Sequence, residues 1–191
     1  MFSRGARGAT LLTGLLVLGA MGARAEVVER IQAVVDGRPL MLSEVRLIEK
    51  LQGLDRAGAL EALIDEQLML REASRMAESA VTADDEQRGY ESLRARIPAA
   101  SSFPEADLRR LVRRQTAILK YVEFRFRPQV QIADAAVREA FEKQFAGQEA
   151  PPAFETVAPD IRRQLVDRVI DEKIEAWVKE LRQSAEIRYN P

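Results

Sequence analysis

From Ile31 to Val35 the chain alternates in the period of a half-buried strand: Ile31, Ala33 and Val35 lie to one side, Gln32 and Val34 to the other. Asp36-Gly37 follows, a pair that tolerates the positive φ of a two-residue hairpin turn. Leu40 and Leu42 resume the alternation, and Ser43 stands where a helix N-cap belongs. A lone hairpin is marginal in water, so this one (about 30–43) calls for a cover and a third strand.

Helical spacing takes over from Glu44. Leu47, Ile48 and Leu51 predict a helix to about Leu54, and Gly53 and Gly58 bracket a connection. A longer helix is expected over Ala59–Ser79, with Leu68, Met69 and Leu70 widening its apolar arc enough for cover on more than one side. Thr82 and Asp85 form a capping-box pattern ahead of Ala83–Ile97. Pro98 to Pro104 reads as a loop. Glu105–Arg127 is the cleanest amphipathic stretch: Leu108, Leu111, Val112, Gln115, Leu119, Val122 and Phe126 define one face. Pro128 ends it, Asp134 is an N-cap for a short helix over Ala135–Phe145, and 147–153 is a linker with two prolines. A last helix of roughly 30 residues, Phe154–Gln183, would span about 45 Å, with Pro159 in its first turn or so. Glu186–Asn190 then alternates again. Val34 should face Pro39 across a non-hydrogen-bonded pair, so Pro39 is harmless inside the hairpin but offers no donor outward. The terminal strand is therefore expected beside Ile31–Val35. The fold class is mainly α with a small three-stranded sheet.

The first 25 residues change the setting rather than the fold. Arg4 and Arg7, the apolar run Leu11–Met21 and Ala23-Arg24-Ala25 make a secretory signal peptide, with cleavage expected after Ala25. The run is shorter than the roughly 18 residues of a spanning helix. The periplasm is the expected destination, and 26–191 is read as one domain, with an N-terminal part over 26–146 and the helix and strand at 154–190. Three of the 29 basic residues precede Glu26, so the mature chain holds 26 basic against 30 acidic residues, a net charge of −4. That gives no bias toward nucleic acid.

The chain has neither cysteine nor histidine. The commonest general base and most zinc sites are removed at once. No nucleophile elbow, phosphate-cradling glycine loop or H-E-x-x-H is present. The expectation is a non-enzymatic protein without metal or cofactor. Arg109, Arg110, Arg113 and Arg114 crowd one side of the amphipathic helix. They read either as a peripheral contact for anionic membrane or as a solvated helix back paired with acidic neighbours, and the second is favoured.

IQAVVDGRPLMLSEV, followed by ALEALIDEQLMLREASRMAESAVTADD, resembles the N-terminal domain of the SurA-like periplasmic chaperones. Asp36-Gly37, Ser43-Glu44-Val45 and Leu63-Ile64-Asp65-Glu66 stand in place of that family's motifs, and RRQLVDRVIDEKIEAWVKELRQSAEIRYN resembles its C-terminal helix and strand. The resemblance implies an ATP-independent holdase for unfolded or partly folded envelope and outer-membrane proteins. It also implies that the C-terminal segment returns to the N-terminal one. Members usually carry a parvulin-type prolyl isomerase domain between these parts. Here 147–153 leaves no room for a domain of at least ~50 residues, so isomerase activity is not carried over. Met69, Met76, Tyr90, Phe103, Tyr121, Phe124 and Phe126 are the candidate peptide-binding residues, each with core packing as its competing role. The alternative function is an adaptor dedicated to one exported partner. Either a monomer or a dimer exchanging its terminal helix and strand is compatible with the pattern.

Overall fold

A computed structural model of the chain describes residues 29–190; the expected signal peptide and its cleavage site lie outside the described residues. Strands β1 (Ile31–Val35) and β2 (Arg38–Met41) form the hairpin. Its turn places Asp36 and Gly37 at φ 47° and 82°, the left-handed conformations that a two-residue loop demands. Helices α1 (Leu42–Gln52), α2 (Arg56–Ala73), α3 (Ala83–Arg96), α4 (Glu105–Arg125), α5 (Asp134–Gln144) and α6 (Phe154–Ser184) follow, and β3 (Ile187–Tyr189) closes the described chain. The sheet order is β2-β1-β3, antiparallel throughout. Val34 faces Pro39, and the terminal strand lies on the other side of β1, both as expected from the sequence; there Val34 faces Arg188.

Several boundaries differ for local reasons. The first helix starts at Leu42, two residues before the expected Glu44, and Ser43 lies inside it rather than capping it. Carboxylates do the capping: Glu44 Oε2 accepts from the Met41 N–H (3.1 Å) and Glu29 Oε1 from the Ser43 N–H (3.2 Å). Asp55 Oδ1 accepts from the Gly58 N–H (2.8 Å), so α2 begins at Arg56 rather than Ala59. It ends at Ala73, not Ser79, where the Ser74 hydroxyl bonds the Arg71 carbonyl (2.9 Å). Met76 is therefore outside the helix, just before a 3₁₀ turn over Ala77–Ser79. Pro98–Ser102 is also a 3₁₀ turn. Ala133 occupies the N-cap position expected of Asp134. α6 starts at Phe154 as expected, with Pro159 inside it in the second turn. Thr82 and Asp85 do form their reciprocal box, at 3.1 Å in each direction.

The main core joins the sheet to α1, α2, α3, α4 and the second half of α6. Ala33, Val35 and Leu40 of the sheet, Val45 and Ile48 of α1, Ile64 and Leu68 of α2, and Leu108 and Leu111 of α4 are buried together. The C-terminal half of α6 adds Ile170, Trp177 and Leu181. Gly89 lets α3 lie close against α4, since a Cβ there would stand 2.5 Å from Val112 Cγ1. Two expected apolar positions stay exposed: Ile31 at the start of β1, and Leu119 of α4, which is 63% exposed because the helices cover a narrower arc of α4 than its apolar face supplies.

The terminal strand is held at both ends. The Asp36 N–H donates to the Glu186 carbonyl (2.9 Å), and the Glu186 N–H donates to Asp36 Oδ1 (2.9 Å). Arg71 bonds the other Asp36 oxygen. At the far end the Asn190 N–H donates to the Gln32 carbonyl (2.8 Å).

Candidate peptide-binding surfaces

The seven candidate side chains do not form one surface. Three are core residues. Tyr121 stacks on Trp177 with ring centroids 5.1 Å apart, and Phe126 meets the same indole edge-on at 5.6 Å. Tyr90 is buried beneath the Arg109 guanidinium, 4.4 Å from its ring centre. These three are corrected from binding candidates to packing residues: aromatic bulk is scarce in this chain, and the core takes it first. Phe124 is exposed on α4, and Met76 lines a shallow depression at the end of α2 with Arg113 and Ala117. In that depression Ser79 Oγ is buried with no hydrogen-bond partner.

Phe103 lines a cavity of about 560 Å³ beside β2, floored by Pro39, Met41 and Leu47 and rimmed by Arg46 and Arg110. Met69 lines an open groove of about 630 Å³ between α2 and α6. Two stripes make this groove. Asp65 and Met69 are four apart on α2, as are Ile174, Val178 and Arg182 on α6, so each set lines one helix face. Along the chain Ile174 and Val178 recur at helical spacing with Ile170, Trp177 and Leu181, so periodicity alone sets them on one broad apolar face of the last helix. The excess width of that apolar face was the available signal that some of it would line a groove.

Arg182 fixes the groove's upper end. Its guanidinium donates to Asp65 Oδ1, to Glu61 Oε2 (2.8 Å) and to the Glu61 carbonyl (3.2 Å). These bonds, that from Asp65 foremost, push its pKa further above the ordinary arginine value, so it stays charged. Glu61 also accepts from the Tyr189 hydroxyl (3.4 Å). Burial, aided by the Glu61 carboxylate, raises the Tyr189 pKa.

The four clustered arginines of α4 are paired. Arg109 bonds Glu105 (2.6 Å) and Glu86 (3.4 Å), Arg113 bonds Glu86 (3.1 Å), and Arg110 bonds Asp107. Arg114 departs from the expected solvent face. It reaches inward to Glu66 (2.6 Å) and Glu44 (3.1 Å), and Gln115 Nε2 donates to the second Glu66 oxygen (3.3 Å). Glu66 is only 7% exposed, so the Arg114 ion pair and the Gln115 bond stand in for the water its carboxylate gives up. The sequence offered no sign of it, because Arg114 and Glu66 are 48 residues apart.

Among the described residues no cluster of three or more acidic, histidine or cysteine side chains could hold a metal ion. Among them too, no helix is long and apolar enough to cross a membrane. No protein-family model matches the chain, and no curated protein does.

Proposed function

We propose that this protein binds unfolded or partly folded polypeptides of the cell envelope as an ATP-independent holdase in the manner of the SurA-like chaperones, by contact rather than by catalysis. The observation that supports this reading most directly is the open α2–α6 groove, lined by the half-buried flexible and branched apolar side chains of Met69, Ile174 and Val178. A thioether and branched aliphatics adapt to many partner shapes, which is what a low-specificity binder needs. The groove carries two acidic and two basic groups (Asp65, Glu175, Lys179, Arg182), so neither acidic nor basic clients are repelled. The sheet completed by the C-terminal strand agrees with the arrangement that the family resemblance implies. Export through a cleaved signal peptide would bring the protein to such clients. The test is suppression of aggregation of an unfolded outer-membrane β-barrel protein at near-stoichiometric ratios. No suppression, together with no detectable binding of client peptides, would refute the reading.

A further inference from the structure

The two edges of the sheet are treated differently. On β2 the outward position opposite Val34 is Pro39, which has no N–H. The next N–H, that of Met41, is already taken by Glu44 Oε2 at 3.1 Å. This edge offers no free donor to an incoming strand, a common guard against unwanted pairing. β3 has no such guard. Glu186 and Asn190 bond to β1, so Arg188 between them also turns its backbone inward. Ile187 and Tyr189 then point their N–H and C=O groups away from the sheet, two donors and two acceptors repeating at about 6.8 Å. Among the described residues, none of the side chains or turns bonds these groups. The bonded stretch runs from Glu186 to Asn190, five residues, an ordinary strand length.

We infer that the outer edge of β3 receives an extended segment of the client polypeptide as a fourth strand; this rests on the holdase reading. The surroundings define the segment's chemistry. Ile187 and Tyr189 stand opposite Val35 and Ala33 and share their core-side face. The Tyr189 hydroxyl meets Glu61, Glu61 is held by Arg182, and Arg182 is a wall of the apolar groove containing Met69, Ile174 and Val178. On the opposite face lies exposed Arg188. A strand added here would aim every second side chain toward the helix side and the ones between toward Arg188. The matching occupant has apolar residues at alternate positions, with polar or acidic ones between them. That is the pattern of an amphipathic strand from a membrane β-barrel. Backbone bonding supplies affinity without demanding a sequence, as in other strand-addition complexes.

The test uses the unaltered protein and a labelled peptide of about ten residues, alternating Val or Tyr with Ser or Glu. Two isomers carry N-methyl groups, one on the apolar positions and the other on the polar positions. An edge uses only every second N–H, so one isomer should bind like the parent and the other roughly tenfold more weakly or worse. Equal binding of both isomers, whether weakened or not, overturns the inference. Tyr189→Pro, which deletes an outward donor and spares the ladder to β1, should cause a similar loss of affinity. A dimer in light scattering that Tyr189→Pro abolishes would put a second copy on this edge and also overturn it. Suppressed aggregation with no difference between isomers leaves the holdase reading standing and removes only the edge. Neither suppression nor peptide binding removes the holdase reading first.

Discussion

The two halves of α6 keep different company. From Ile170 to Leu181 the helix is one wall of the main core, with Trp177 against Tyr121 and Phe126. From Phe154 to Ile161 it packs with α5 in a separate cluster. There Phe141 lies 5.0 Å from Phe145 and 5.4 Å from Phe154, and Arg138 covers the Phe154 ring at 4.6 Å. Val137 and Ile161 are fully packed, yet they lie outside the main core cluster. The polar link is Arg162, which donates to the Ile132 carbonyl (2.9 Å) and to Asp134. Asp134 is 93% exposed, so that ion pair adds little. One continuous helix thus joins a cooperative body to an arm stabilised by a few aromatic contacts. Local opening free energies should differ along its length.

Removing residues 185–191 should have the largest effect on this contrast. The sheet loses β3, both bonds between Asp36 and Glu186 and those of Asn190, and the thermal transition should fall or vanish. An unchanged melting temperature would mean that the terminal strand contributes nothing. Next comes Trp177→Ala, expected to cost about 3–5 kcal/mol in urea denaturation, since it empties the junction of α4 and α6. Arg114→Ala should approach that loss, roughly 3 kcal/mol, by leaving Glu66 buried without its cation. The double variant with Glu66→Gln should recover part of the loss, and no recovery would show that packing rather than charge is at stake. Phe141→Ala is expected to cost less, about 1–2 kcal/mol, and to act locally. Amide exchange should accelerate in α5 and the first half of α6 while the β1 amides stay protected; uniform acceleration would erase the distinction between arm and body.

The smallest effect is pH-dependent. The bond from Lys120, with the Thr82 cap, holds the Asp85 carboxyl well below the usual carboxylate range. A folded pKa below the unfolded one stabilises above the unfolded value, and that stabilisation is lost as pH falls toward the folded one. The stability difference between the parent protein and Lys120→Met should therefore begin to narrow below about pH 4. A constant gap down to pH 3 would count against the pairing.

Local physics was readable from the chain, and remote physics much less so. The Asp36-Gly37 turn, the Thr82–Asp85 box and the seat of the last strand beside β1 follow from turn chemistry, capping and the missing N–H of Pro39. Ser43 misled because the carboxylates of the adjacent Glu44 and of Glu29, fourteen residues back, took the capping role. Leu119 misled because periodicity marks a face without revealing how much of it finds cover. The site was the least legible part. Choosing candidates by aromatic character selected the residues most wanted by the core, whereas the groove is walled by ordinary aliphatics whose exposure depends on how α2 and α6 are set against each other.

The central position of β1 has a kinetic consequence. One of its neighbours is reached through a two-residue turn; the other bond, from Glu186 to Asp36, spans 150 residues. Loop-closure entropy adds about 0.6 kcal/mol for each doubling of the separation, so the two pairings should form at well-separated times. Long-range pairing slows folding generally. In a chain delivered N-terminus first, β1 would wait with its Val34 edge unpaired until the last residues arrived. Amide exchange pulsed during refolding should find the bonds between β1 and β2 protected early, and those between β1 and β3 among the last.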